Sequence, residues 1–235
     1  MKQQREKIQR QIHHIAVIVD GNRRFAKQEG KLPWEGHREG AKKLKEFLSW
    51  CRDAQIKQAT LYTFSMQNFE RPKEEVDALM QLFERELTSQ LQSGEFTKHD
   101  VRVRFIGRLH LFSKQLQTLM QEVMEKTKTC KTYTLNLAMA YGGREEITDA
   151  VKSLMRSGMD PEDVTQEHVK QHLYLADEPD VIIRTGGAQR TSNFLPWQSV
   201  YSEWIFLDAY FPQLTKEDFD YCLDEFSRRE RRFGK

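Results

Sequence analysis

Apolar residues along the chain fall into two kinds of pattern. Six short runs, at 15–19, 59–64, 101–106, 134–140, 180–183 and 204–207, are continuous or alternating and rich in β-branched and aromatic side chains, which predicts strands. Between them the spacing changes. Over 74–92 the apolar positions are Val76, Leu79, Met80, Phe83, Leu87 and Leu91, and over 114–127 they are Leu116, Leu119, Met120, Val123 and Met124. Both sets recur every three or four residues, as the buried face of a helix requires. Further helices are predicted at 39–54 and 145–156, from a Thr165 cap to about 175, and from a Thr215 cap into the C-terminal arginines. Strand and helix therefore alternate. The pattern predicts an α/β fold in one domain over 1–235, a central, mostly parallel six-stranded sheet flanked by helices, with 1–11 as an N-terminal extension and 225–235 as a basic C-terminal segment. In such sheets ligands bind beyond the carboxyl ends of the strands, so chemistry is expected there.

Composition narrows the function. The chain has 235 residues, with 37 Lys and Arg against 35 Asp and Glu and a net charge of +2, which argues against nucleic acid as a partner. No apolar run approaches the roughly 18–20 residues of a membrane span, and no apolar stretch with a cleavage site follows the basic, Gln-rich start, so no span and no secretory signal is expected. Cys51, Cys130 and Cys222 are dispersed and odd in number, which fits a reducing compartment and a cytoplasmic location.

The strand ends carry the chemistry. The first run stops at Asp20-Gly21-Asn22-Arg23-Arg24-Phe25, and the second at Ser65-Met66-Gln67-Asn68-Phe69-Glu70-Arg71-Pro72. The fourth ends in Tyr141-Gly142-Gly143-Arg144, and the fifth in Arg184-Thr185-Gly186-Gly187 followed by Arg190, Ser192 and Asn193. Twin glycines after a strand let backbone approach a ligand closely. Neither pair fits a dinucleotide fingerprint or a Walker A sequence, so dinucleotides and ATP are not expected. Arg23, Arg24, Arg71, Arg144, Arg184 and Arg190 all fall at one predicted sheet edge; guanidinium forks match phosphate oxygens, and so many together repel without anions. More than one phosphoryl group is implied, with Asp20 as the carboxylate for an accompanying metal. Scattered surface arginines are the alternative at this level of reading.

Five separated motifs, in order, resemble the cis-prenyltransferase family, of which undecaprenyl diphosphate synthase is the best-known member. They are the run from His14 through Asp20-Gly21-Asn22 to Arg24, the pair Gly36-His37, Ser65 through Pro72, Asn136 through Arg144, and Arg184-Thr185-Gly186-Gly187 with Arg190, Ser192, Asn193 and Phe194. The C-terminal 228–234 segment is also typical, and the resemblance extends from about His14 to Gly234. It implies a homodimeric, Mg2+-dependent enzyme that joins isopentenyl diphosphate to an allylic prenyl diphosphate with a new cis double bond, and that touches a membrane at most peripherally, through its product. By position, Asp20, Asn22 and Asn68 resemble the catalytic residues, and Asp20 and Glu203 the magnesium carboxylates. Gly21, Arg23, Arg24, Phe25, His37, Ser65, Phe69, Arg71, Arg184, Arg190 and Ser192 resemble the substrate-binding set, the last three on the isopentenyl side. The segment around Arg232 and Phe233 resembles one that reaches a partner's active site. The helices 39–54 and 74–92 are the expected walls of an apolar substrate tunnel.

Several usual residues differ. Arg23-Arg24-Phe25 stands for Gly-Arg-Trp, Pro33 for an arginine, Gln67 for a glutamate, Ala140 for an asparagine and Ala188-Gln189 for Glu-His. Because these changes surround the reactive centre, irregular coupling of short isoprenyl diphosphates is one alternative. A non-catalytic partner subunit is the other, although Asp20, Asn22, Arg24, Arg71, Arg184 and Arg190 together favour an enzyme. His168 and His172 have an i, i+4 spacing that can ligate zinc, but no H-E-x-x-H pattern accompanies them, and no zinc site is expected.

Overall fold

Strand β1 (His14–Ile18) is buried at all five positions, which is why it reads as an unbroken apolar run: it has a strand on each side and a layer on each face. In this computed structural model, which describes residues 11–229, β1 is followed by β2 (Gln58–Ser65), β3 (Val101–Ile106), β4 (Tyr133–Tyr141), β5 (Val181–Arg184) and β6 (Glu203–Phe206). They form one sheet in the order β3-β4-β2-β1-β5-β6, and every neighbouring pair is parallel. Each strand boundary lies within one residue of the expected one.

The helices are α1 (Asn22–Gln28), α2 (Pro33–Asp53), α3 (Lys73–Ser93), α4 (Glu95–Lys98), α5 (Lys114–Thr127), α6 (Gly143–Ser157), α7 (Gln166–His172) and α8 (Lys216–Arg228). Two ends differ from expectation. Helix α2 starts at Pro33, not at 39, because Pro33 occupies its first turn and the Glu35 carboxylate accepts the Leu32 N–H at 2.9 Å. This puts Gly36 and His37 on a helix. Helix α7 stops at His172 rather than 175; Leu175 is fully buried beyond it.

Alternation along the strands divides the core. Ile15, Val17, Leu61 and Ile183 pack under Phe47 of α2 and Phe219 of α8, while Ala16, Ile18, Tyr62, Ala138 and Ile182 meet Leu175, Phe194 and Leu195 on the other face. A slip in the β2–β4 pairing breaks this alternation near the carboxyl end: Tyr62 faces Ala138, but Phe64 faces Met139. The bulge turns Phe64 into a third core cluster with Leu79, Phe105 and Leu116, and leaves Thr63 out of register.

One polar group lies deep in the sheet. His14 is 4% exposed, and its Nε2 is 2.7 Å from the Thr60 hydroxyl, which also accepts from Asn136 Nδ2 at 2.9 Å. Burial lowers its pKa to about 4, so the folded ring is neutral near pH 6 while the unfolded one binds a proton. Its stabilising contribution is full above the unfolded value of about 6.5 and falls as pH drops toward 4, by up to about 3 kcal/mol. Urea unfolding at pH 7 and pH 4.5 should therefore show a smaller loss for His14→Gln than for the native chain; equal losses would remove His14 from the acid response.

Candidate active site

The carboxyl ends of β1, β2, β4 and β5 bring separated motifs together. Asp20 follows β1, and Arg184 ends the neighbouring β5, in register with Ile18. The Asp20 carboxylate accepts from Arg184 Nη2 at 2.8 Å, from Arg24 Nη2 at 3.1 Å and from its neighbour's Gly21 N–H at 2.6 Å. Burial pushes its pKa up, but the Arg184 bond and charge, with Arg24 and the Gly21 amide, outweigh that and hold it below the usual carboxylate range. Asp20 is therefore ionised. Arg184 is 3% exposed; its Nη1 donates to the Ser192 hydroxyl at 2.6 Å and the Arg190 carbonyl at 2.5 Å, and its Nε is buried without a partner. Arg24 also donates to the Gly186 carbonyl at 2.7 Å.

A second cluster centres on Glu75, in the first turn of α3 and 3% exposed. Its Oε1 lies 3.2 Å from Arg71 Nη1, 3.4 Å from Arg23 Nε and 3.5 Å from His37 Nε2. The bond from His37, with the two guanidinium charges, holds the Glu75 carboxyl low against the opposing effect of burial. Burial lowers the His37 pKa, and Arg71 and Arg23 add to that against the pull of Glu75. The imidazole is therefore a neutral donor beside two cations. Across the crevice, the Asn68 side-chain carbonyl accepts the Ser65 N–H at 3.0 Å and closes the turn after β2. The Asn22 Nδ2 donates to the Val19 carbonyl at 3.0 Å, while its Oδ1 is buried and unpartnered against Gly40, where a Cβ would approach it to 2.3 Å.

These groups line one polar crevice of about 840 Å3, with Asp20, Asn22, His37, Ser65, Asn68, Arg71, Arg184, Arg190 and Ser192 on its wall. The other expected residues stand elsewhere. Gly21, Arg23 and Arg24 support the wall from behind through the bonds just described. Phe25 lies under the Lys31 ammonium, which is 5.7 Å from its ring centroid, and the half-buried Phe69 packs edge-on to Phe64 at 4.8 Å, against the apolar core. Glu203 begins β6 opposite Val181, which places it near the amino end of the sheet, where it pairs with Arg229 at 3.3 Å. The rise per strand residue puts it on the order of 15 Å from Asp20 within one chain. Among the described residues no three acidic, histidine or cysteine side chains group as a metal site. The Arg232 and Phe233 segment lies outside the described residues.

The Gly142-Gly143 pair differs from expectation: it admits protein rather than ligand. A Cβ on Gly143 would lie 1.9 Å from Pro196 Cδ, and one on Gly142 would lie 2.1 Å from Glu145 Oε2. His168 and His172 bond to backbone carbonyls within α7 and its entry, at 3.0 Å to Asp163 and 2.8 Å to His168. Glu75 and the Thr63 bulge were not read from the sequence. The Arg71-to-Glu75 spacing of one helical turn was the available signal, but such pairs are common on solvated helix faces.

Beneath the crevice, sharing Asn22, His37, Thr63 and Leu79 with it, lies an apolar cavity of about 170 Å3 between α2 and α3, walled by Leu44, Leu82, Phe83, Leu137 and Met139. A third cavity of about 200 Å3 continues toward the amino end of the sheet past Leu48, Phe96 and Leu135. A cationic crevice that shares wall residues with an adjoining apolar cavity fits an anion attached to a hydrocarbon chain. The family described as "Putative undecaprenyl diphosphate synthase" matches residues 18–234. The chain belongs to this cis-prenyltransferase family.

Curated relatives and solved structures agree with that placement. The tritrans,polycis-undecaprenyl-diphosphate synthase (geranylgeranyl-diphosphate specific) of Pyrococcus abyssi is 47% identical over 228 residues, covering 94% of this chain and 86% of its own length. The Methanocaldococcus jannaschii protein of the same description is 46% identical over 230 residues, covering 94% and 82%. Lavandulyl diphosphate synthase from Lavandula x intermedia, solved with dimethylallyl diphosphate, superposes with a TM-score of 0.91 at 32% identity over 96% of this chain and 99% of that one. A probable undecaprenyl diphosphate synthase from Campylobacter jejuni gives 0.82 at 35%, covering 96% and 100%. This cis-prenyltransferase is an enzyme of the prenyl diphosphate synthase type, and the partner-subunit alternative falls away. No described helix is long and apolar enough to cross a membrane.

Proposed function

We propose that this cis-prenyltransferase lengthens a long allylic diphosphate, of the geranylgeranyl class that its archaeal relatives are named for, by repeated cis addition of isopentenyl units. The observation that supports the reading is the pair of cavities in line beneath the polar crevice, the first sharing His37 and Leu79 with it and the second sharing Leu48, Phe96 and Leu135 with the first; joined, they would house a long chain. A coupling of two short isoprenyl groups needs no such length. The 0.91 superposition on lavandulyl diphosphate synthase keeps irregular coupling as the second reading.

In the mechanism, Asn22 and His37 hold the allylic diphosphate at the channel mouth, backed by Arg24 and by the Arg23, Arg71 and Glu75 cluster. Arg184, Arg190 and Ser192 hold the isopentenyl diphosphate. Breaking the allylic carbon–oxygen bond develops charge on the departing diphosphate, and preorganised guanidinium groups are worth most where water is excluded. Ser65 and Asn68, fixed to each other, orient the isopentenyl double bond toward the electron-poor allylic carbon, which converts coupling into an effectively intramolecular step. As the new carbon–carbon bond forms and the allylic carbon–oxygen bond breaks, the proton lost from C2 of the isopentenyl unit passes to an oxygen of the departing diphosphate and leaves the new cis double bond. An ionised Asp20 carboxylate in a crevice suited to diphosphate fits Mg2+, and Asp20 is the residue that would hold the ion there. When bound, the ion neutralises charge on the leaving diphosphate. Glu203 of the same chain is too distant to share that ion, so its carboxylate would have to come from a second copy. A homodimer is supported by the exposed Val151 and Met155 on α6 and by Val200 and Tyr201 leading into the edge strand β6. The three dispersed free thiols support a cytoplasmic site of action, with membrane contact through product alone.

Incubation with labelled isopentenyl diphosphate, Mg2+ and dimethylallyl, geranyl, farnesyl or geranylgeranyl diphosphate, followed by mass spectrometry and NMR, tests the reading. All-cis extension of the longer primers, abolished by EDTA, is the expected result. A branched product from dimethylallyl diphosphate alone would replace it with irregular coupling.

A further inference from the structure

The loop 190–195 presents two of the three groups on the isopentenyl side, yet no regular element holds it. Ser192, Asn193 and Leu195 all have left-handed backbone, with φ of 49°, 62° and 48°. Such a run persists only where its surroundings over-determine it. Asn193 supplies the restraint. Its side-chain carbonyl accepts the Arg144 N–H at 2.9 Å, its Nδ2 donates to Glu145 Oε2 at 3.0 Å, and its backbone carbonyl accepts the Gly143 N–H at 2.8 Å.

These partners are the first turn of α6, whose N–H groups lack helical acceptors. The residue at the N-cap is Gly142, which has no side chain to fill that role, so Asn193 caps the helix from fifty residues downstream. The bare backbone of Gly142 and Gly143 is what lets the loop come this close. The same loop delivers the Ser192 hydroxyl and the Arg190 carbonyl to Arg184. A second brace acts from β2, where the Tyr62 hydroxyl donates to the Tyr141 carbonyl at 3.2 Å and its ring stacks on Phe194 at 4.7 Å.

We propose that Asn193, locked by Glu145, is a positioning residue for the isopentenyl diphosphate subsite: its carboxamide ties the 190–195 loop to the start of α6 and so sets Ser192 and Arg190 against Arg184. The inference rests on the reading of Arg184, Arg190 and Ser192 as that subsite. Asn193 also lines the crevice, and the role proposed for it is exerted through its loop neighbours Arg190 and Ser192.

The test is a double-mutant cycle read in steady-state kinetics. Asn193→Asp keeps the acceptor for Arg144 but sets a carboxylate against the Glu145 carboxylate, and should raise the KM for isopentenyl diphosphate about tenfold while the allylic KM changes by less than about twofold. In the Glu145→Gln background, where the glutamine amide donates to the new aspartate, the same substitution should cost less than about threefold. Circular dichroism and thermal melts exclude an unfolded variant, and Glu145→Ala, which removes one of the three bonds, gives an intermediate KM if Asn193→Asp does not fold. An unchanged isopentenyl KM, an equal rise for both substrates, or no recovery in the double variant would overturn the proposal. Arg184→Ala separates the two levels: if it leaves the isopentenyl KM unchanged, the subsite reading itself fails, whereas a raised KM there with none in Asn193→Asp refutes the positioning role alone.

Discussion

Asp20→Asn is expected to lower kcat by about three orders of magnitude, because it removes the ionised carboxylate proposed to hold Mg2+ beside the allylic diphosphate. The amide keeps one oxygen, for Arg184 or for Arg24 and the Gly21 N–H, and loses the charge and the second acceptor. Asp20→Ala should lose as much activity and stability besides. It leaves Arg184, 3% exposed, without its counter-ion, and stranding a buried charge costs about 3 kcal/mol. Comparing the two variants in kcat and in urea unfolding separates charge from packing. An Asp20→Asn enzyme with wild-type kcat would remove Asp20 from the chemistry.

Glu75→Leu is expected to have the largest effect on stability. Two guanidinium groups and a neutral imidazole, from α1, the turn before α3 and α2, converge on a single oxygen, so removing it leaves Arg23 and Arg71 crowded together without a counter-charge and His37 without its partner. A loss of about 3 kcal/mol follows for a group this buried, which for a chain of this size is a fall in Tm of roughly 6–12 °C. Glu75→Gln retains an acceptor and should fall by less than half of that. Added inorganic diphosphate should restore part of the lost Tm in Glu75→Leu, since it returns negative charge to the same side chains. A Tm within about 2 °C of the native chain would show that these cations do not depend on Glu75.

Much of this was legible in sequence. The six strands were readable because a sheet covered on both faces writes itself as short apolar runs, and the motifs were readable because the carboxyl ends of such strands are where ligands bind. Nine of the expected site residues meet on one crevice wall. Phe69 and Phe25 stand off the crevice wall, and an aromatic residue beside a polar motif reads the same in sequence whether it faces the crevice or packs against its neighbours. The start of α2 was missed because Gly36 and Gly40 interrupt its apolar period; their bareness serves the contact with Asn22, not helix propensity. Glu75 looked like a solvated helix charge because nothing local records that Arg23 and His37 arrive from other segments.

By itself the sequence determined the parallel α/β architecture, the strand ends and the family, since each depends on local periodicity or contiguous residues. Only the tertiary structure decided that Asp20 answers to Arg184 from 164 positions away, that Glu75 gathers two guanidinium groups and an imidazole, that Gly142 and Gly143 make room for a loop, and that Glu203 lies at the far end of the sheet. Those facts are set by which strands lie side by side and in what register, and register is fixed by packing across the whole sheet rather than by any one segment.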